Sequence, residues 1–269
     1  MEPLLSPGPD ESLDLLAGDW RLFQLRAGHR FSTDDLVCAW FGAQARPDAR
    51  RVLDLGAGIG SVGLLALWCL DHEGGVEGWR PRPGPRPLLA MVEAQALSHH
   101  LARRSVVLNG LEERVTLRLS DLRDPTAVPE GEAYDLVTAS PPYIPLGRGQ
   151  VSPHPQRAAC RIELRGDVFD YCRVAARALA PGGRLSLVHA WGDPRPPAAL
   201  AEVGLRVLRH VEVVFRRGRS PTIVVYVAGV DGEPEAQPPL VVREADGRWT
   251  EDWRALRARM GAPEAERER

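Results

Sequence analysis

The chain has 269 residues, is 44% hydrophobic and 26% charged, and carries a formal net charge of -2. That is enough for one large α/β domain with a substantial core, without the global basic field of a general polyanion binder. No apolar run approaches the roughly 20 residues of a membrane helix, and the acidic, proline-rich first ten residues show no export signal, so a cytoplasmic location is expected.

All 34 basic residues counted as Lys or Arg are arginine. Arginine forks onto phosphate and stacks on bases, so the missing lysine does not exclude RNA. Cys38, Cys69, Cys160 and Cys172 have no C-x-x-C spacing and read as reduced thiols. His99 and His100 are adjacent and so point to different helix faces, and no metal site is expected.

In chain order, residues 1–19 read as a mobile lead-in. Helical spacing follows Phe31, with Ser32 or Thr33 able to cap and Asp34 and Asp35 in the first turn. Arg51 to Leu55 reads as a short buried strand and Ser61 to Leu70 as a helix apolar nearly all round. Residues 71–87, loaded with glycine and proline, read as a flexible insertion without regular structure. Then come a strand over Leu88 to Glu93, a helix over Ala94 to Asn109 stopped by Gly110, and strands over Val115 to Leu119 and Tyr134 to Ala139. A helix over Val168 to Leu179 precedes strands over Arg184 to His189, Val203 to Phe215 and Thr222 to Val230. The alternation implies a mostly parallel, seven-stranded sheet with helices on both faces. Residues 20–230 form the main domain, and 231–269 a linker, a small strand-plus-helix appendage and a charged tail.

Two loops carry chemistry. The first is Asp54-x-Gly56-x-Gly58-x-Gly60, between a strand and a helix. Glycines let the backbone approach a ligand, and the helix N-terminus offers free N–H groups. Gly58 to Gly63 also fits the dinucleotide pattern G-x-G-x-x-G. Glu93, at the end of the second strand, suits the ribose diol of either a dinucleotide or S-adenosylmethionine (SAM). Asp54 beside a pyrophosphate would be unfavourable, and Asp121, after the third strand, can bond an adenine amine; both favour SAM.

The second loop is Ser140-Pro141-Pro142-Tyr143, at a strand's carboxyl end. Two prolines stiffen the loop and leave its carbonyls free to accept. The Ser140 hydroxyl and the Pro141 carbonyl can hold the two hydrogens of an exocyclic amine, and Tyr143 can stack on the ring that bears it. Such a loop beside a methyl donor implies methyl transfer to nitrogen by positioning and electrostatics, without a covalent intermediate.

These residues resemble the class I SAM-dependent methyltransferases, and within them the tRNA1(Val) adenine-N6-methyltransferase family, from about Trp20 to about Gly261. Gly28 to Asp34 is similar to the family segment that closes over the cofactor, which implies roles for Phe31 and Asp34. Asp54 to Gly60, Glu93 and Asp121 match its loop, ribose acid and adenine-side acid. Arg161 to Glu163, Leu179 to Gly183, and Pro239 to Arg243 with Asp246 to Thr250 match later segments. The resemblance implies a Rossmann-like fold and SAM-dependent N6 methylation of adenine in tRNA, by a monomer or small homo-oligomer. Ser140 departs from the family's asparagine and is more typical of cytosine-N4 DNA methyltransferases. Cytosine N4, a protein glutamine amide or a small aromatic amine therefore stay open as acceptors, as does a non-catalytic SAM-binding role. Arg157, Arg161 and Arg165 after the catalytic loop, and Arg216, Arg217 and Arg219 in the last turn, are either phosphate grips or a solvated face.

Overall fold

The apolar runs bounded by glycine and proline become strands of one central sheet in the computed structural model, which describes residues 5–75, 78–148 and 154–262. A hairpin of β1 (Glu11–Ala17) and β2 (Trp20–Leu25) precedes α1 (Thr33–Ala45). Next come β3 (Arg51–Leu55), α2 (Ser61–Asp71), a ribbon of β4 (His72–Gly75) and β5 (Gly78–Pro81), then β6 (Leu88–Glu93), α3 (Ala96–Leu108), β7 (Val115–Leu119) and β8 (Tyr134–Ala139). The second half holds α4 (Pro155–Arg161), α5 (Val168–Ala178), β9 (Leu179–Ala190), α6 (Arg195–Glu202), β10 (Arg206–Val214), β11 (Ile223–Gly229), β12 (Leu240–Val241) and α7 (Glu251–Arg259).

The sheet order is β12-β10-β11-β9-β8-β3-β6-β7. Strands β7, β6, β3, β8 and β9 run parallel, and β11 is antiparallel to both β9 and β10. The reversed β11 brings the turn between β10 and β11 to the edge at which the parallel strands end. Within each buried strand, neighbours face opposite layers: Val52, Leu89 and Met91 join one core cluster, and Leu53, Ala90 and Val92 the other. Strands covered on both faces require such continuous apolar runs. Helices α1, α2 and α3 cover one face through Leu36, Leu65 and Leu101, and α5 and α6 the other through Val168, Tyr171 and Leu200.

Four expectations are corrected. The sheet has eight strands rather than seven, because β12 pairs with Val213 and Val214 at its edge. The expected mobile lead-in contains β1, whose backbone pairs with β2 from Glu11–Leu25 to Ala17–Trp20. The glycine- and proline-rich insertion forms the β4–β5 ribbon, and its Trp79 indole donates to the Ala258 carbonyl at 2.6 Å. The C-terminal segment is built into the body: Trp253 is 2% exposed, and Gly18 N–H donates to the Gly261 carbonyl at 2.6 Å. The charged tail beyond residue 262 lies outside the described residues. Among the described residues no helix is long and apolar enough to cross a membrane.

Candidate active site

Strands β3, β6, β7, β8 and β9 end around one cavity of about 780 Å³. Gly56, Glu93, Ser120, Ser140 and Ala190, each at or just beyond a strand's carboxyl end, line it. This is the crevice in which open α/β sheets bind ligands.

Gly56 and Gly58 bend the loop after β3 with φ of 65° and 56°. A Cβ at Gly56 would collide with the Tyr171 hydroxyl, whereas one at Gly58 would meet nothing within 4 Å and project into free space. Asp54, 1% exposed, braces the loop from beneath: its carboxylate accepts from Gly63 N–H at 2.9 Å and from the Thr138 hydroxyl at 2.8 Å. Glu93 accepts from Gly58 N–H at 2.8 Å and from Gln95 N–H at 2.6 Å. Each Glu93 oxygen keeps a second acceptor site for a diol. Asp35 accepts from Ser32 N–H at 2.6 Å in a capping box, and from the Ser61 hydroxyl at 3.0 Å.

Burial pushes the Asp54 carboxyl up to about 7, with the charges of Asp35 and Glu93 adding and the bonds from Thr138 and Gly63 opposing. Burial also raises Asp35 and Glu93. Three carboxyls with raised pKa values on one cavity favour a ligand that brings positive charge. They are poor company for a pyrophosphate, which weighs against a dinucleotide.

The Ser140–Tyr143 loop forms another part of the wall, with Pro141 buried and the other three half-buried. The Tyr143 hydroxyl donates to Asp34 at 2.8 Å, and its ring lies 4.8 Å from that of His189. Burial first, then the Asp34 charge, holds the Tyr143 phenol well above its usual range, so it stays a neutral donor. His189 is also buried, which lowers it to about 4 and keeps it neutral.

Arg195 clamps this loop. Its guanidinium donates to the Tyr143 carbonyl at 3.2 Å, to Glu163 at 2.7 Å and to Asp193 at 2.6 Å. Ile144 N–H donates to the Arg161 carbonyl, and Glu163 N–H to the Ile144 carbonyl, both at 3.0 Å. These bonds latch the exit of the loop to the end of α4.

Asp34, Asp54, Gly56, Gly58, Glu93, Ser140, Pro141, Pro142, Tyr143 and Arg161 all line the cavity. Gly60 caps α2 behind it, and Phe31 packs against the core with its N–H bonded to Gln24. Asp121 is not on the wall, although Ser120 and Leu122 are. Arg123, two residues on, takes both Asp121 oxygens at 2.9 and 2.6 Å. Arg217 pairs with Glu244, and neither it nor Arg219 reaches the cavity. Sequence reasoning missed Asp35 and Ser61 as a bonded pair on the wall, since a first-turn acid ordinarily only caps. It also missed Arg195, which no motif marks. Among the described residues no group of three or more His, Cys, Asp or Glu can hold a metal.

No family model matches the chain. A tRNA1(Val) (adenine(37)-N6)-methyltransferase of Tolumonas auensis is 27% identical over 87% of this chain and 90% of its own length. A release factor glutamine methyltransferase of Bordetella pertussis is 30% identical over 62% of this chain and 57% of that protein. The solved structure of a predicted O-methyltransferase from Agrobacterium tumefaciens superposes with a TM-score of 0.59 at 20% identity, over 87% of this chain and all (100%) of the other. The chain has the class I methyltransferase fold and resembles the tRNA1(Val) adenine-N6-methyltransferases. In this methyltransferase fold the reversed β11 lies between β9 and β10, unlike the all-parallel order of a dinucleotide-binding sheet.

Proposed function

We propose that this methyltransferase transfers the methyl group of SAM to the exocyclic N6 amine of adenine in tRNA. The observation that carries the reading is that the glycine loop and the Ser140–Tyr143 loop face one cavity. The open space at Gly58 and the three buried carboxyls suit a cationic nucleoside cofactor. When bound, SAM supplies a methyl group on a positively charged sulfur.

Glu93 holds the ribose hydroxyls, and Asp35 and Asp54 offset the cofactor's positive charge. Ser140 Oγ and the Pro141 carbonyl accept the two amine hydrogens and so aim the nitrogen's electron pair. Tyr143 sets the plane of the base, held by its bond to Asp34 and its packing on His189. No strong base is required, because the nitrogen's proton becomes acidic as the new bond forms. Arg157, Arg161 and Arg165 at the mouth suit the flanking phosphates. A cytoplasmic monomer or small homo-oligomer goes with this reading.

A protein glutamine amide is the second reading, favoured by the similarity to release factor glutamine methyltransferases. An amide amine has the same planar geometry. The test is transfer of labelled methyl from SAM to tRNA and to release factors, both isolated from cells lacking the gene. Label recovered as N6-methyladenosine in tRNA is expected. Label on glutamine instead would replace the adenine reading while keeping the chemistry.

A further inference from the structure

One aromatic side chain just past the cavity wall keeps a large exposed surface. Trp191 follows Ala190, which lines the cavity, and is 45% exposed. Its backbone N–H donates to the Thr222 carbonyl at 3.0 Å and its indole N–H to Glu212 at 2.9 Å. The first fixes the backbone and the second restrains the ring, which leaves nearly half of its surface to solvent. The same loop continues to Asp193 and Arg195, whose guanidinium grips the Tyr143 carbonyl. The indole is thus tied through one short loop to the proposed base-binding tyrosine.

The surroundings are basic. Arg157, Arg161 and Arg165 are exposed on the cavity side and, among the described residues, their side chains make no ion pair. Exposed Arg219 lies in the turn between β10 and β11, just before Thr222 and at the same edge of the sheet, and is likewise without an ion pair among the described residues. Arg173 and Arg195, by contrast, are paired to carboxylates. An anchored, half-exposed indole at the sheet edge that also carries these guanidinium groups suits a stacked base with its phosphates held nearby.

Resting on the tRNA reading above, we propose that Trp191 is the stacking platform for the nucleotide next to the methylated adenine. The protein then engages a single-stranded step of at least two nucleotides: the target in the cavity and its neighbour on the indole. Such recognition of splayed bases is how single-stranded RNA is ordinarily read. The fixed ring costs little ordering entropy when the base arrives.

The test uses full-length protein and an unmodified tRNA transcript. Trp191→Ala is expected to raise KM for tRNA about tenfold, leave kcat within about twofold and leave SAM affinity unchanged. Trp191→Phe, which keeps a ring face, should recover most of the loss. An abasic nucleotide beside the target adenine should weaken the wild-type protein to a similar degree and add little to Trp191→Ala. An unchanged KM in Trp191→Ala, or fully additive effects of the two changes, overturns the platform. If the wild-type protein methylates no RNA at all, the substrate reading fails and this one with it; methylation of RNA with KM unmoved overturns this one alone.

Discussion

Asp54 sits beneath the glycine loop with both oxygens hydrogen-bonded, yet burial lifts its carboxyl to about 7 from an ordinary 3.8. The folded chain therefore keeps a proton that the unfolded chain releases near pH 4. The stability that this proton confers is complete below the unfolded value and is lost as pH rises through 7. The melting temperature of the ligand-free protein should fall between pH 5 and pH 7, and Asp54→Asn should flatten part of that fall. A wild-type melting curve insensitive to pH over this range would contradict the assignment. SAM, being cationic, favours the ionised carboxyl, so its affinity should rise over the same interval. Tyr143 yields a kinetic expectation. Tyr143→Ala removes the ring and should lower kcat about a hundredfold with SAM affinity nearly unchanged, whereas Tyr143→Phe loses only the bond to Asp34 and should cost about tenfold or less. Both are read by single-turnover methyl transfer.

At the scale of elements, the site depends on how loops are held between strands and helices. Arg195, at the start of α6, ties Tyr143 to Glu163 and Asp193. Arg195→Ala leaves two carboxylates without their partner and frees the end of the catalytic loop. It should reduce kcat by about ten- to a hundredfold, with SAM binding, measured by calorimetry, within about twofold. The glycine loop separates two kinds of damage. Gly56→Ala drives a methyl into the Tyr171 hydroxyl at a φ of 65° and should cost about 1–3 kcal/mol of stability. Gly58→Ala meets no protein atom and should lose SAM affinity with a smaller stability loss, about 1 kcal/mol of backbone strain. Thermal melts and binding isotherms on both variants check the contrast.

Much of this scale was legible in the residues. Strands β3, β6 and β8 coincide with the apolar runs Arg51 to Leu55, Leu88 to Glu93 and Tyr134 to Ala139, because a parallel strand buried on both faces admits little else. The β4–β5 ribbon was hidden. Its pairing is backbone to backbone at glycine and proline positions, and the burial of Trp79 depends on a helix some 180 residues later, as the Ala258 bond shows. Strand β1 was obscured by its acidic, half-exposed pattern. In the cavity, the glycine loop and Ser140–Tyr143 could be read from local spacing, but Arg195 could not, since its partners come from three separate stretches of chain. Asp121 lies off the wall, and a guanidinium two residues away takes both of its oxygens, which local spacing does not reveal.

For the whole molecule, the C-terminal segment is structural. Trp253 is 2% exposed within the larger core cluster, and Thr250 caps its helix by accepting from Trp253 N–H at 3.1 Å. Trp253→Ala should destabilise the protein by about 3–5 kcal/mol in urea unfolding, although it lies outside the cavity. A loss below about 1 kcal/mol would show that the segment is dispensable. The bond from Gly18 to Gly261 has a further consequence for how the protein is made. Domains fold as they leave the ribosome, N-terminal parts first. The partner of Gly18 is translated more than two hundred residues later, so a nascent chain can assemble most of its sheet while the face under α7 stays uncovered. Trp79 and the edge of β10 gain their cover only when the β12–α7 segment has left the ribosome. A ribosome stalled before the α7 segment emerges would thus hold a protein with its cavity walls in place and this seam open to chaperones and proteases.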